Sequence, residues 1–286
     1  MIFNFDEVEA LENLKEDINN IKLLLNAKSE NYNTFRNFYI ELGINLNVGN
    51  KLIDRIENSL IIDLYTYSER LLKYTVYQVL GYESQENSHL NNFIRKKINE
   101  DRFSPNPTFD KFEQELSSLN PEFKFFIKKV HNRPEIESYN QMIVARHQYA
   151  HANRYPEEME TLMESIHIIE YLAWECQRFI GYSEKDKQFC EDYDKLNKQF
   201  KSVKSIVKSD KRSPDRLISE SENLKEKVEE LSSIAYGLAN TDYFGNVDAL
   251  KEIKVYIERL KNIDIDRYTV SDLTELLNSL NKEFSE

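Results

Sequence analysis

Residues 50–80 read NKLIDRIENSLIIDLYTYSERLLKYTVYQVL, a long run rich in leucine, isoleucine and tyrosine. Apolar residues recur along it at helical spacing, which predicts one long α-helix. Gly81 follows the run and marks its end, because glycine commonly terminates helices. We expect this helix to be central and largely buried. The residues near its apolar stripe are Leu52, Ile56, Leu60, Leu64, Leu71, Thr75 and Val79.

The neighbouring segments are also helical in pattern, and strand signals are nearly absent. Prolines in the stretch SPNP, at Arg133-Pro134 and at Pro156 separate the helices that come after the long one. The pattern therefore predicts an all-α domain. The further helices expected before residue 181 cover about 5–27, 31–43, 87–100, 108–119, 121–130, 133–152 and 156–180.

The chain changes texture after Gly181, where charge increases and apolar side chains become shorter. Four leucines follow each other every seven residues, which is typical of an antiparallel helical hairpin or a short coiled coil. These leucines are Leu217, Leu224, Leu231 and Leu238. Helices over about 246–263 and 271–284 complete a small C-terminal bundle. We therefore divide the chain into N-terminal helices (1–49), a helical domain (50–181) and a C-terminal bundle (182–286).

Composition limits the classes of function. The 286 residues carry a formal net charge of −12, which argues against a protein that coats nucleic acid but allows a compact cationic site. No apolar run approaches the roughly 18 residues of a membrane span, and the acidic N-terminus does not resemble a secretory signal. We expect a cytoplasmic protein that contacts no membrane, with Cys176 and Cys190 as reduced thiols.

The most informative short stretch is ARHQYAHA, residues 145–152, at the end of a predicted helix. One interpretation is structural, since helical histidines are most often hydrogen-bonded and arginines most often solvated. A second is a zinc site, because His147 and His151 are four residues apart and HQYAH resembles the HExxH motif. However, Gln148 replaces the general-base glutamate, and Glu170 would have to be the third ligand.

A third interpretation pairs Arg146 with His151. They are five residues apart, about 140° around a helix, so the arginine stem must wrap around or the helix must end between them. The last turn of a helix favours a cation and should raise the imidazole pKa. Guanidinium and imidazole suffice for RNA cleavage by its own 2′-hydroxyl, with no metal or other cofactor. The second proton-transfer group would come from His147 or from a second copy in a homodimer.

Arg146-His147-x-x-x-His151 at a helix end resembles the R-x4-6-H motif of the HEPN superfamily. The resemblance covers about residues 50–181. It implies a HEPN-like helical bundle that dimerises with its motifs facing each other. In many members it also implies a metal-independent endoribonuclease that leaves a 2′,3′-cyclic phosphate, often in toxin–antitoxin or anti-phage systems. By this match Arg146 and His151 take the catalytic positions, and His147 is the polar residue beside the arginine. Other members only dimerise or bind nucleotides.

Four residues are candidates for supporting roles. Glu69 could hold Arg146 through a carboxylate–guanidinium pair, or pair elsewhere at the surface. Tyr149 could stack on an RNA base, although tyrosine in this register is more often core. Asn153 and Arg154 could contact phosphate or form an ordinary loop.

Lysines also recur every three or four residues at positions 195, 198, 201, 204, 208 and 211. They could guide RNA to the site or form a solvated helix face; Leu196, Phe200, Val203 and Val207 form the apolar side of the same helix. The sequence therefore favours a homodimeric ribonuclease that cleaves tRNA or mRNA and is restrained by a regulatory partner or antitoxin. The alternative is a non-catalytic helical module that binds a protein partner.

Overall fold

The computed structural model describes residues 5–80, 106–126, 133–152, 159–207, 214–241, 243 and 250–263. Within these ranges the structure has nine α-helices and no strand, which confirms the all-α prediction. None of the described helices combines the length and hydropathy that crossing a lipid bilayer requires. The helices are α1 (Glu7–Glu30), α2 (Tyr32–Glu41), α3 (Leu46–Leu80), α4 (Phe109–Leu119), α5 (Arg133–Ala152), α6 (Met159–Ile180), α7 (Glu184–Val207), α8 (Pro214–Ala239) and α9 (Lys251–Lys261).

The chain divides into two compact units. The first contains Met1–Phe125 and Arg133–Ile180, and the second contains Phe126–Asn132 and Gly181–Glu286. The helices that the sequence sets apart as residues 1–49 pack inside the first unit, mainly on α3 and α6. The predicted boundary at residue 49 falls inside α3, which begins at Leu46.

Gly49 explains why the start of α3 is difficult to predict. The sequence suggests a break at this glycine, but it lies within the helix, where the ring of Tyr39 packs against it. A Cβ at position 49 would lie 2.7 Å from that ring, which is too close for a real contact. Glycine at this position therefore allows α2 to pack closely on α3 and does not mark the end of a helix.

The long helix α3 is buried along only part of its length. Of the stripe predicted from the sequence, Leu60, Leu64, Leu71 and Thr75 are buried. The expectation is wrong for Leu52, Ile56 and Val79, which are 46%, 44% and 39% exposed. At 35 residues α3 spans about 52 Å, whereas α5 and α6 span about 30–33 Å at 1.5 Å per residue. The 24 residues of α1, which also packs on α3, span about 36 Å, so no single partner covers the whole length of α3.

The helix expected to start at Pro121 is absent from residues 121–126, which form a turn followed by irregular chain. Asn120 shapes the turn, because its side-chain oxygen accepts a hydrogen bond from the backbone N–H of Glu122 at 3.1 Å. Phe123, Phe125 and Phe126 are all buried. A helix would fix the directions of the three rings relative to one another, whereas an irregular chain can orient each ring separately. Burial of the phenylalanines therefore outweighs the local preference for a helix. Residues 127–130 lie outside the described ranges.

A buried ionic cluster stands at the C-terminal end of α6. Glu175 is fully buried and accepts hydrogen bonds from Tyr171 and from Arg178, whose Nη1 lies 2.6 Å from its carboxylate. Arg178 also donates to the backbone oxygen of Lys124 at 3.1 Å and lies over Phe123. Charges this deeply buried require compensation, so these contacts fix the end of α6 against the irregular segment.

The second unit is built on α7, α8 and α9. Gln199 donates a hydrogen bond to Glu230 at 2.7 Å, and Lys227 donates one to Ser202 at 3.0 Å. Residue numbers therefore increase along α7 in the direction in which they decrease along α8, so the two helices are antiparallel. The predicted heptad is confirmed in the part of α8 whose side chains are described. There Leu224, Val228, Leu231, Ala235 and Leu238 are buried. The side chain of Leu217 and the helix expected over 271–284 lie outside the description.

Candidate functional site

Helix α5 carries the motif and is anchored by one buried face. Tyr139, Met142 and Ile143 are fully buried in the first unit, where α5 packs on α3 and α6. The hydroxyl of Tyr139 donates to the backbone oxygen of Pro107, and Asn140 accepts from the backbone N–H of Phe109 at 3.0 Å. These contacts fix the rotation of α5 about its axis, and with it the direction in which Arg146 leaves the helix.

Arg146 lies partly buried against α3. Its guanidinium carbon is 4.4 Å from the ring centroid of Tyr65, a contact distance for a cation–π interaction. Tyr65 is only 4% exposed. Burial raises the pKa of the Tyr65 hydroxyl, Glu69 raises it further and Arg146 opposes the increase, so the ring stays neutral near neutral pH. Arg146 is thus neither sealed in the core nor freely solvated.

The backbone of α5 shows whether the helix ends between Arg146 and His151, a point that the sequence leaves open. The helix runs without interruption through His151 to Ala152, so it does not end between Arg146 and His151. Five residues of continuous helix put the two positions about 140° apart around the axis. His151 is in the last turn, as the sequence predicts. The side chains of His147, Tyr149 and His151, and all of Asn153 and Arg154, lie outside the described part of the structure.

Glu69 makes a different contact from the one predicted first. Its carboxylate pairs with Lys73 on the next turn of α3, with Nζ and Oε1 3.0 Å apart and both side chains mostly buried. It is also near enough to Tyr65 to raise the pKa of that hydroxyl. Glu69, Lys73 and Tyr65 thus line the side of α3 that Arg146 meets. A direct pair between Glu69 and Arg146 stays a prediction.

The side of α5 that faces away from the core carries few charges. Gln141 and Val144 are exposed there and uncharged, Val144 being 51% exposed, whereas Glu137, one turn before Gln141, is charged. A cavity of about 340 Å³ opens on this side; its described lining comes from Glu137, Asn140, Gln141, Val144, Ala145 and Gln148. His151 is seven residues after Val144, almost two full turns, so the backbone register puts both positions on the same side of α5.

Glu170, which would be the third ligand in the zinc interpretation, is engaged in an ion pair. Glu170 is buried and accepts a hydrogen bond from Lys15 of α1 at 2.8 Å. That pair ties α1 to α6 and neutralises the carboxylate. Among the side chains that the structure describes, no three histidine, cysteine or carboxylate groups are placed to hold a metal ion.

The predicted lysine face is present on α7, in the second unit. Lys195, Lys198 and Lys201 are exposed, Lys204 is partly exposed, and Lys208 and Lys211 lie outside the description. The opposite face buries Leu196, Phe200 and Val203, as expected; the side chain of Val207 is not described. Lys195 pairs with Asp192 at 2.9 Å.

Sequence reasoning overlooked Tyr65 and Lys73. Both belong to the tyrosine-rich part of residues 50–80, which the pattern assigns to a buried helix without showing which positions face α5. The available signal is spacing, since Tyr65, Glu69 and Lys73 are successive members of an i, i+4 series on one helix face.

Comparisons with protein-family models, with curated proteins and with solved structures find no match for this chain.

Proposed function

We propose that the protein is a metal-independent endoribonuclease of the HEPN type. The observation that carries the proposal is Arg146, a partly buried guanidinium held over Tyr65, five residues before a histidine in the last turn of the same helix. A guanidinium binds two phosphate oxygens at once and stabilises the negative charge of a phosphorane. An imidazole at a helix C-terminus transfers protons near neutral pH.

In the proposed mechanism the RNA supplies its own nucleophile. His151 accepts the proton of the 2′-hydroxyl, whose oxygen attacks the adjacent phosphorus atom. Arg146 stabilises the charge on the pentacoordinate phosphorus, the bond to the 5′-oxygen breaks, and that oxygen takes a proton from a second group. The products are a 2′,3′-cyclic phosphate and a 5′-hydroxyl. DNA is refused because it lacks the attacking hydroxyl.

The second proton-transfer group comes from a twin subunit in this proposal, or from His147 of the same chain. The exposed and uncharged Gln141 and Val144 of α5 support the twin, because the cores of protein interfaces are depleted in charge. A two-fold axis near the C-terminal end of α5 would bring the two copies of His151 together, and Val144, about 10 Å along the helix on the same side, would lie in the same interface. Arg146 leaves α5 on a different side, so it must reach the phosphate from the rim of that interface.

We further propose a cytoplasmic role in a toxin–antitoxin or anti-phage system, with tRNA or mRNA as substrate. A ribonuclease without restraint would damage its own cell, which is the reason to expect a regulatory partner or an antitoxin. The exposed Lys198 and Lys201 of α7 offer positive charge to RNA in a chain whose net charge is negative, whereas Lys195 is paired with Asp192.

One observation favours the alternative, a non-catalytic module that binds a protein partner. Val48, Leu52 and Ile56 occupy successive turns of α3 and are 51%, 46% and 44% exposed. Such an apolar stripe is typical of a surface that another protein covers. This alternative predicts a stable complex and no dependence of cellular toxicity on Arg146.

A cleavage assay tests the enzyme proposal. Purified protein is incubated with tRNA and with total RNA in EDTA, and product ends are identified by mass spectrometry. We expect cyclic phosphate ends, and a loss of rate of roughly 10²–10⁴-fold in His151→Ala. Arg70→Ala is the matched control for Arg146→Ala, since Arg70 is an exposed arginine of α3 that also lies over a ring, that of Phe5 at 5.4 Å. Equal cleavage by the wild type and both motif variants would reject the proposal.

A further inference from the structure

Tyr65 is the residue on which the guanidinium of Arg146 rests. The contact joins α3 to α5 within the first unit, with the guanidinium carbon 4.4 Å from the ring centroid. Tyr65 is 4% exposed, so a substrate cannot reach its ring from solvent. Any influence of Tyr65 on chemistry must therefore pass through Arg146.

We propose that Tyr65 is the positioning residue of the site: its ring fixes the plane of the Arg146 guanidinium so that the N–H edge meets the scissile phosphate. This inference rests on the proposed ribonuclease function. A face-on contact with a ring uses the flat side of the guanidinium, whereas phosphate oxygens bind to its edge. A guanidinium that stacks flat on the ring would therefore keep its N–H edge for the phosphate.

A ring suits this role better than a carboxylate does. It attracts the cation through its quadrupole and carries no net charge, so the ring itself does not neutralise the positive charge of Arg146. Tyr65 stays neutral because burial and the nearby Glu69 raise the pKa of its hydroxyl. Glu69 is balanced by Lys73, 3.0 Å away.

The buried surroundings explain why the position is precise. Tyr65 is buried, and so is Leu64, which precedes it on α3. The ring therefore has little freedom to move. A long arginine side chain that leaves a helix near its end has many rotamers, and a fixed ring selects a few of them.

The first test compares Tyr65→Phe, which keeps the ring, with Tyr65→Leu, which removes it and keeps an apolar side chain. We expect Tyr65→Phe to retain kcat within about twofold, and Tyr65→Leu to lose roughly 10-fold in kcat with little change in KM. Tyr67→Leu is the matched control, because it removes a buried tyrosine of the same helix that does not lie under Arg146. Its activity per folded molecule should equal that of the wild type.

A double substitution separates positioning from a structural effect. If Tyr65 acts through Arg146, then Tyr65→Leu has no further effect on the residual cleavage of Arg146→Ala. Independent losses that multiply in the double variant would overturn the proposal. So would a Tyr65→Leu protein that cleaves RNA as fast as the wild type.

A measurement without RNA keeps this inference distinct from the proposed function. The side-chain protons of Arg146 should show an upfield ring-current shift in NMR spectra of the wild type and of Tyr65→Phe, and should lose it in Tyr65→Leu. Absence of RNA cleavage with this pattern intact would reject the ribonuclease and, with it, the role in catalysis, while confirming the placement of Arg146. If Tyr65→Leu does not fold, Tyr65→Met replaces it; if neither folds, an unshifted Arg146 in the wild type overturns the inference.

Discussion

Removing the carboxylate of Glu175 should destabilise the first unit far more than removing any exposed carboxylate of the same helix. Glu175 is fully buried, and the side chain of Arg178 that it neutralises is only 4% exposed. After Glu175→Leu, the contacts of Arg178 that remain include the backbone oxygen of Lys124 and the rings of Phe123 and Trp174. None of these carries a full negative charge.

The size of the effect follows from the cost of a buried charge that has lost its counter-charge. Breaking one side of a buried ion pair typically costs about 3–5 kcal/mol, a large part of the roughly 5–15 kcal/mol that stabilises a domain. Removing both charges avoids most of this cost. We therefore expect the double variant Glu175→Leu, Arg178→Met to recover about 2 kcal/mol or more relative to Glu175→Leu alone.

Urea unfolding followed by tryptophan fluorescence measures the loss of stability in the first unit of the fold. Trp174 is the single tryptophan of the chain and lies in the first unit, beside Arg178. Glu164→Gln is the matched control, since Glu164 is an exposed carboxylate of α6 bonded to Ser138 at 2.6 Å, and it should change stability by less than about 1 kcal/mol. If Glu175→Leu costs no more than the control, or if the double variant is the least stable, the account of this cluster is wrong.

Three further predictions concern other parts of the chain. Leu64→Ala should cost about 2–5 kcal/mol in urea unfolding, and Leu52→Ala on the same helix under 1 kcal/mol, because the first is fully buried and the second is 46% exposed; similar costs would contradict the burial of α3. Cys176 should resist thiol reagents at pH 8 until the protein unfolds, since burial raises its pKa to about 12, whereas the partly exposed Cys190 should be labelled; early labelling of Cys176 would contradict this. Lys198→Glu should weaken RNA binding and lower its dependence on salt, as measured by fluorescence anisotropy across a salt series, and an unchanged slope would exclude the lysine face from RNA binding.

The periodic features of the sequence predict much of the fold. The heptad of α8 and the apolar side of α7 are buried as expected, because each helix there has one partner-facing stripe and the pattern shows which one. Burial along α3 is less predictable. The apolar residues of α3 include Leu52 and Ile56, but the helices that pack on α3 are shorter than α3 itself. A local sequence pattern does not show how long the packing helices are, so it cannot show where burial ends.

The irregular segment at 121–126 shows a different limit. Asn120-Pro121 is a good local start for a helix. The segment is irregular instead, because its three phenylalanines are buried in contacts with residues distant in sequence. The candidate site behaves in the same way: the motif around Arg146 is readable from the sequence, but its contact with Tyr65 joins positions 81 residues apart and depends on how α5 is rotated against α3.

The central claim is that Arg146 and His151 cleave RNA without a metal. The most direct measurement is the rate of RNA cleavage in EDTA by wild type, Arg146→Ala and His151→Ala at equal concentrations of folded protein. The account predicts products with 2′,3′-cyclic phosphate ends from the wild type, and a loss of at least about 100-fold in each variant. Cleavage that survives either substitution, or that requires an added divalent ion, would contradict it.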